Sequence, residues 1–141
     1  MKTIYLVQCV SQKLSRPAPA KDLYCSAWFT KARAFVEAQN ARWLILSGKY
    51  GAVAPGTVLK PYNVTLNDMT TTRRRDWAER TAATLRRHCQ PGDRVVFLAG
   101  SAYRQYLAEH LRSWGCRVET PLARLGIGQQ LQWLGRRSRQ A

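Results

Sequence analysis

The chain has 141 residues, 45% of them hydrophobic, which suits one domain with a real core. Its 23 Lys and Arg residues against 8 acids leave a formal charge of +15, and no apolar stretch approaches the ~20 residues that a membrane span needs. Neither a membrane-spanning helix nor a membrane partner is therefore expected, and a charge this large, costly in self-repulsion, points to a polyanionic partner.

In chain order, a charged Lys2 leads straight into a strand from Thr3 to Cys9, with neither the apolar region nor the cleavage site of a signal peptide, so a cytoplasmic protein is expected. A polar loop from Ser11 to Asp22 follows, kept extended by Pro17 and Pro19. A helix starts near Ser26 with Trp28, Ala32, Phe35 and Val36 on one apolar stripe, and the second strand is Arg42 to Leu46. Ser47 to Thr71, rich in Gly, Pro, Asn and Thr, is too long for an ordinary connection and points to function or to small local elements.

The second helix is predicted from Thr72 to His88, with Trp77, Ala78, Thr81, Ala82 and Leu85 inward and Pro91-Gly92-Asp93 closing the segment. A third strand, Arg94 to Leu98, leads to a helix with Ser101 as its N-cap and Tyr103, Tyr106, Leu107, His110, Leu111 and Trp114 on its buried face. A fourth strand, Cys116 to Glu119, precedes a last helix from Ile127 to Leu134. The expected architecture is α/β with three layers, a four-stranded mostly parallel sheet between helices, formed by residues 1–135 as a single domain. Residues 136–141 are read as a basic tail carrying Arg136, Arg137 and Arg139.

Cys9, Cys25, Cys89 and Cys116 are scattered without metal-ligand spacing, so reduced thiols are expected and neither a metal nor a cofactor is called for. Seventeen of the 23 cations are arginine, whose guanidinium fork suits bidentate phosphate contacts and stacking on bases. Arg73, Arg74 and Arg75 open the second helix against its dipole, and Arg73, Arg80 and Arg87 recur every seven residues as a cationic stripe, with i,i+4 pairing expected for Asp76–Arg80 and Arg75–Glu79. With Arg136 and Arg137 they form the candidate surface for a nucleic-acid backbone.

In open α/β sheets ligands bind beyond the carboxyl ends of the strands. That rule selects Cys9 to Lys13, Ser47-Gly48-Lys49-Tyr50-Gly51, Gly100 to Arg104, and Pro121 to Gly128. Ser47 to Gly51 is the most pointed, although it lacks P-loop spacing. The candidate pocket residues are Cys9, Ser11, Gln12, Lys13, Tyr24, Ser26, Ser47, Gly48, Tyr50, Tyr62, Gly100, Ser101, Tyr103, Arg104, Gly128 and Gln129. Lys49, Asn63 and Asp68 are the catalytic candidates, Asp68 being the better of two loop carboxylates near the expected site, the other being Asp22. His88 and His110 are read as structural.

These segments resemble a family of short bacterial and phage proteins known only as a domain of unknown function. The opening signature is Cys9, Lys13, Pro17-Ala18-Pro19-Ala20, Leu23-Tyr24-Cys25-Ser26, Phe29 and Arg33. The central motif is Ile45 to Gly51 with Pro55, Pro61-Tyr62-Asn63 and Thr65-Leu66; the closing one is Leu98-Ala99-Gly100, Tyr103-Arg104, Pro121-Leu122 and Gly126 to Leu134. Asn63 departs from that pattern, where Asp is expected. The central motif is also similar to that of YaaA-type peroxide-stress proteins, which are associated with DNA binding, and more remotely to the uracil-DNA-glycosylase-like architecture. The resemblance implies a sheet of strand order 2-1-3-4 and a nucleic-acid or nucleobase context.

The expected function is thus a nucleic-acid-associated domain, DNA ahead of RNA, that cleaves or exchanges an N-glycosidic bond of a base or nucleotide in a glycosylase-like manner. The alternatives are a non-catalytic DNA- or RNA-binding module and a nucleotide-sensing domain in stress or phage defence.

Overall fold

The structure, a computed structural model, describes residues 1–140, with side chains through Ser138. Three strands read as near-continuous apolar runs: β1 (Thr3–Gln8), β3 (Arg42–Ser47) and β6 (Arg94–Leu98). Residues buried on both strand faces are the mark of a parallel sheet covered on both sides, and these strands pair in parallel as β3-β1-β6. The short β7 (Arg117–Glu119) adds in parallel to β6. On the other edge β4 (Gly51–Val53) runs antiparallel to β3.

Among the described residues the main sheet is therefore five-stranded, in the order β4-β3-β1-β6-β7, rather than four-stranded. The added strand lies in the segment read as irregular. It is three residues long, it follows a tight turn, and Gly51 enters it at φ +74°, a conformation that favours glycine. A second small sheet pairs β2 (Ala18–Pro19) with β5 (Val58–Leu59), and the one-turn α1 (Ala20–Leu23) follows β2 directly. The two apparent loops after β1 and β4 are thus tied to each other, with Ala20 and Lys21 N–H groups donating to Thr57 and Pro55 carbonyls.

From β1, the crossover through α2 (Ala27–Ala38) steps to one side. Those through α3 (Thr71–Leu85) and α4 (Ser101–Ser113) step to the other. Right-handed crossovers then place α2 on one face and α3 with α4 on the opposite face. The packing agrees: α3 lies against α4, and α2 against the last helix, α5 (Ile127–Gln140). On the first face Phe35 of α2 meets Tyr5 edge-on at 5.6 Å and Trp133 of α5 at 5.0 Å. On the second, Trp77 of α3 meets Tyr103 of α4 at 5.6 Å.

The last helix does not stop at Leu134 but continues to Gln140, anchored by the fully buried Leu134, with the Ser138 hydroxyl donating to the Leu134 carbonyl. Arg136 and Arg137 are therefore helical rather than part of a tail; the side chain of Arg139 and all of Ala141 lie outside the described residues. The cap of α4 is Gly100, not Ser101, and His110 is exposed rather than on the buried face, because it falls in the last turn beside the chain reversal at Gly115. The Asp76–Arg80 and Arg75–Glu79 ion pairs are not among the salt bridges of the described residues. Arg80 instead donates to the Asp76 carbonyl, and Arg75 stacks 4.4 Å over Tyr106.

Asp93 holds the amino-terminal edge of the sheet. It is 4% exposed, and its carboxylate accepts the N–H of Lys2 at 2.9 Å and of Gln90 at 2.8 Å. These donors hold its carboxyl below the usual carboxylate range. Replacing Asp93 with Asn turns an amide N–H₂ toward one of these donors and is expected to cost about 1.5–3 kcal/mol in denaturant unfolding. Because the native pKa is lowered, the carboxylate's contribution is full above the unfolded value and is lost as pH falls through the native one, so the gap between wild type and variant should narrow at acid pH.

Candidate functional site

The chain leaves β1 toward α2 on one face and leaves β6 toward α4 on the other, so a crevice opens where these neighbouring strands end. Gln8, the last residue of β1, spans it: its side-chain carbonyl accepts the Gly100 N–H at 2.7 Å. Two cavities flank this bridge and share Gln8 and Val10 as lining.

The cavity on the α2 and α5 side has a volume of about 430 Å³. Val10, Trp28, Leu122 and Ile127 form apolar wall, and Gly100, Ser101 and Arg104 contribute the start of α4. Trp28 donates its indole N–H to the Gln130 side-chain carbonyl at 2.8 Å, and the Gln130 amide donates to the Leu125 carbonyl at 2.9 Å, which fixes both side chains. Arg104 is oriented by its Nε, which donates to the Ala99 carbonyl at 3.1 Å.

The second cavity, about 460 Å³, is lined by Cys9, Ser11, Lys13, Asn63, Asp68 and Tyr103, among others. Its far wall is a 3-10 turn, Leu66–Asp68, held from several directions. Leu66 is fully buried, its N–H donates to the Tyr103 hydroxyl at 3.3 Å, and Thr65 caps the turn by accepting the Asn67 N–H. Arg74 reaches back from α3 to donate to the Leu66 carbonyl at 2.9 Å and the Asn67 carbonyl at 3.3 Å. Asp68 is exposed at the end of this turn, and among the described residues it is the sole carboxylate lining either cavity. Among the other acids, Asp22 and Glu37 pair with Arg33, Glu119 with Arg94, and Asp93 serves the backbone.

Behind this cavity lies a chain of hydroxyls. Ser47, fully buried at the end of β3, accepts the N–H groups of Lys49 and Tyr50 at 3.2 and 3.0 Å. With its lone pairs so engaged, its proton goes to the Tyr62 hydroxyl at 2.7 Å, and Tyr62 in turn donates to Tyr24 at 2.5 Å. Burial raises both phenols, Tyr24 to about 12, and raises Tyr103 as well, so all three remain protonated at neutral pH. Tyr24 and Tyr103 are each 2% exposed, so they act as wall and scaffold rather than as stacking platforms.

The central motif is thus read differently in the fold. A Cβ at Gly48 would stand 2.7 Å from the Val64 carbonyl oxygen, so Gly48 is required by this close approach of two backbone segments. Gly48→Ala is expected to lose about 1–3 kcal/mol of stability, read as a lowered midpoint in thermal or urea unfolding, because the obstacle is backbone and cannot rotate away. The turn into β4 carries Lys49 and Tyr50 to a separate cleft of about 220 Å³ beside Trp77, Arg80 and Thr81. Lys49 therefore shares no cavity with Asp68 or Asn63, and three catalytic candidates are not brought together.

Other candidates are also placed elsewhere. Ser26 caps α2, accepting the Phe29 N–H, and Gln12 is exposed, its backbone carbonyl accepting the Cys25 N–H. Gln129 accepts the Gly126 N–H and secures the start of α5, and Gly128 is exposed beside it. Gln130, one position on, is the residue that lines the cavity. Val10, Leu122 and Ile127 lie in the segments that the rule of strand ends selects but are not among the candidate residues, and Gln8, Trp28 and Gln130 lie outside those segments. The available signals were the last position of the first strand and the i,i+3 spacing that puts Ile127 and Gln130 on one helix face.

Arg73, Arg75 and Arg80 are exposed along α3, whose amino end is next to the Asp68 turn; the helix ends at Leu85 rather than His88, so Arg87 is exposed in the turn that follows it. Arg136 and Arg137 belong to α5, on the opposite face, so the expected backbone surface is divided in two. Among the described residues no group of three or more His, Cys, Asp and Glu is placed to hold a metal ion, and no helix is long and apolar enough to cross a membrane. Cys9, Cys25, Cys89 and Cys116 are all free.

A family model described as a family of unknown function, DUF6884, matches residues 4–136. No curated protein and no solved structure matches the chain.

Proposed function

The chain belongs to the family of unknown function DUF6884, and we propose that it is a nucleic-acid-associated domain that takes one nucleotide unit into the crevice between β1 and β6 and acts on its N-glycosidic bond. The observation that carries this reading is the pair of adjoining cavities at the switch point of the sheet. Their volumes, about 430 and 460 Å³, lie in the range of small-molecule sites. One has an indole, aliphatic wall and the fixed amides of Gln8 and Gln130, which suit the face and edge of a base. The other has a cation, Lys13, and a carboxylate, Asp68, which suit a phosphate and a water nucleophile.

In this reading Asp68 takes a proton from the water that attacks C1′. The C1′–N bond breaks, its electron pair leaves with the base, and a proton passes to the departing nitrogen. The net charge of +15 and the exposed arginines of α3 support attraction and retention of the polyanion. The resemblance of the central motif to YaaA-type proteins and to the uracil-DNA-glycosylase-like architecture supports the nucleobase context.

A second reading, a non-catalytic DNA- or RNA-binding module, is favoured by the open exposure of Asp68 and of the α3 arginines. Binding to single- and double-stranded DNA and RNA across a salt series, with base release assayed in parallel, tests both. The proposal expects log K to fall with log salt by about 0.9 per phosphate contacted on a duplex, together with released base. Salt-sensitive binding without base release from normal or modified DNA selects the binding module, and a slope near zero removes the polyanion.

A further inference from the structure

Lys13 is held in an unusual way for a surface cation. Its backbone is clasped against Tyr24 by an antiparallel bridge, flanked by the Leu14 N–H to Leu23 carbonyl bond and the Cys25 N–H to Gln12 carbonyl bond. Its amine lies 4.5 Å from the centre of the Tyr62 ring and 5.6 Å from that of Tyr24. Its polar contact is with the Ser11 carbonyl, at 3.5 Å, and it takes part in no salt bridge among the described residues. Desolvation holds the amine below the ordinary lysine value, with Cys9 acting in the opposite direction. The same cavity contains Asp68. An amine partly desolvated, without a carboxylate partner among the described residues and lining an open volume, is an arrangement in which a lysine can act as a nucleophile.

We propose that Lys13 is a nucleophile toward the aldehyde of a ring-opened abasic sugar in a nucleic acid. This rests on the reading of the crevice as a nucleotide site and names a second substrate class for it. The neutral amine adds to the C1′ aldehyde and water leaves, forming an imine. Asp68 takes the C2′ proton, the electrons shift toward the imine, and the C3′–O bond breaks so that the 3′ phosphate leaves with the bonding pair. Water then hydrolyses the imine and frees Lys13, so the cycle needs no other reactant.

The full-length protein is incubated with an oligonucleotide containing one abasic site, with and without sodium cyanoborohydride, which reduces the imine to a stable amine. Expected are strand cleavage without the reductant and, with it, a covalent protein–oligonucleotide adduct that peptide mapping places on Lys13. Lys13→Arg keeps the charge and the phosphate contact but does not deprotonate, so it should still bind the oligonucleotide while losing both adduct and cleavage. An adduct that survives in Lys13→Arg, or that maps to the Met1 amine or to another lysine, overturns the proposal. Binding of the abasic oligonucleotide with no adduct overturns it and leaves the nucleotide-site reading standing. Failure to bind any oligonucleotide overturns both.

Discussion

Asp68→Asn is expected to lower the rate of base release by about 10²–10⁴-fold at saturating nucleic acid, the scale on which a positioned general base acts. The variant should fold as wild type does, because the 3-10 turn is held by Leu66, Thr65, Tyr103 and Arg74 and not by the Asp68 carboxylate. Affinity should stay the same or rise, since the substitution removes one of 8 acids from a chain of charge +15 and takes a negative group away from a polyanion. A single-turnover assay with an independent binding measurement separates these effects. Equal loss of rate and affinity would mean that Asp68 holds the nucleic acid rather than activating water.

The opposite pattern is expected on α3. Changing Arg73, Arg75, Arg80 and Arg87 together to Gln should weaken binding at low salt on the order of 10²–10³-fold and reduce the salt slope by about four units if each meets a phosphate. The single-turnover rate at saturation should hardly change, because none of the four lines either crevice cavity. The arginines should not contribute equally. α3 starts beside the Asp68 turn and rises 1.5 Å per residue, so Arg80 lies about 10 Å beyond Arg73, and Arg87, in the turn after the helix, comes at its far end. Arg73 and Arg75, nearest the crevice, should dominate, and neutralising Arg136 and Arg137 on the opposite face should have a much smaller effect. Binding followed over a salt series for each variant checks the ranking.

The parts of the fold that could be read in the sequence are those made by local pattern. Runs such as Ile4 to Val7 and Val95 to Leu98 declare strands buried on both faces, and the stripes of α2 and α3 declare the helices that cover them. β2, β4 and β5 are two or three residues long and exist only through their tertiary partners, so Ala18, Gly51 and Val58 carried no such pattern. In the site, the polar half was legible from the rule of strand ends, which brought Cys9, Ser11, Lys13, Gly100, Ser101 and Arg104 to the two cavities. The apolar half was not, because Val10, Trp28 and Leu122 look like core until a cavity is seen beside them.

Ser47-Gly48-Lys49-Tyr50-Gly51 misled for a definite reason. Hydroxyl, glycine and cation in a strand-end turn are what a phosphate loop needs, yet here the Ser47 hydroxyl serves its own turn and the Gly48 backbone packs on Val64. A ligand loop and a tightly packed turn place the same demands on residue type, and only the partners distinguish them.

The central claim is that a nucleotide unit enters the crevice between β1 and β6. The most direct measurement is a titration of ¹⁵N-labelled protein with a short single-stranded oligonucleotide, followed by amide shifts. The claim predicts the largest changes at Gln8, Cys9, Val10, Gly100 and Ser101 and at the Trp28 indole N–H, with smaller ones at the start of α3. Changes confined to α3, with Gln8, Gly100 and Trp28 unmoved at saturation, would contradict it.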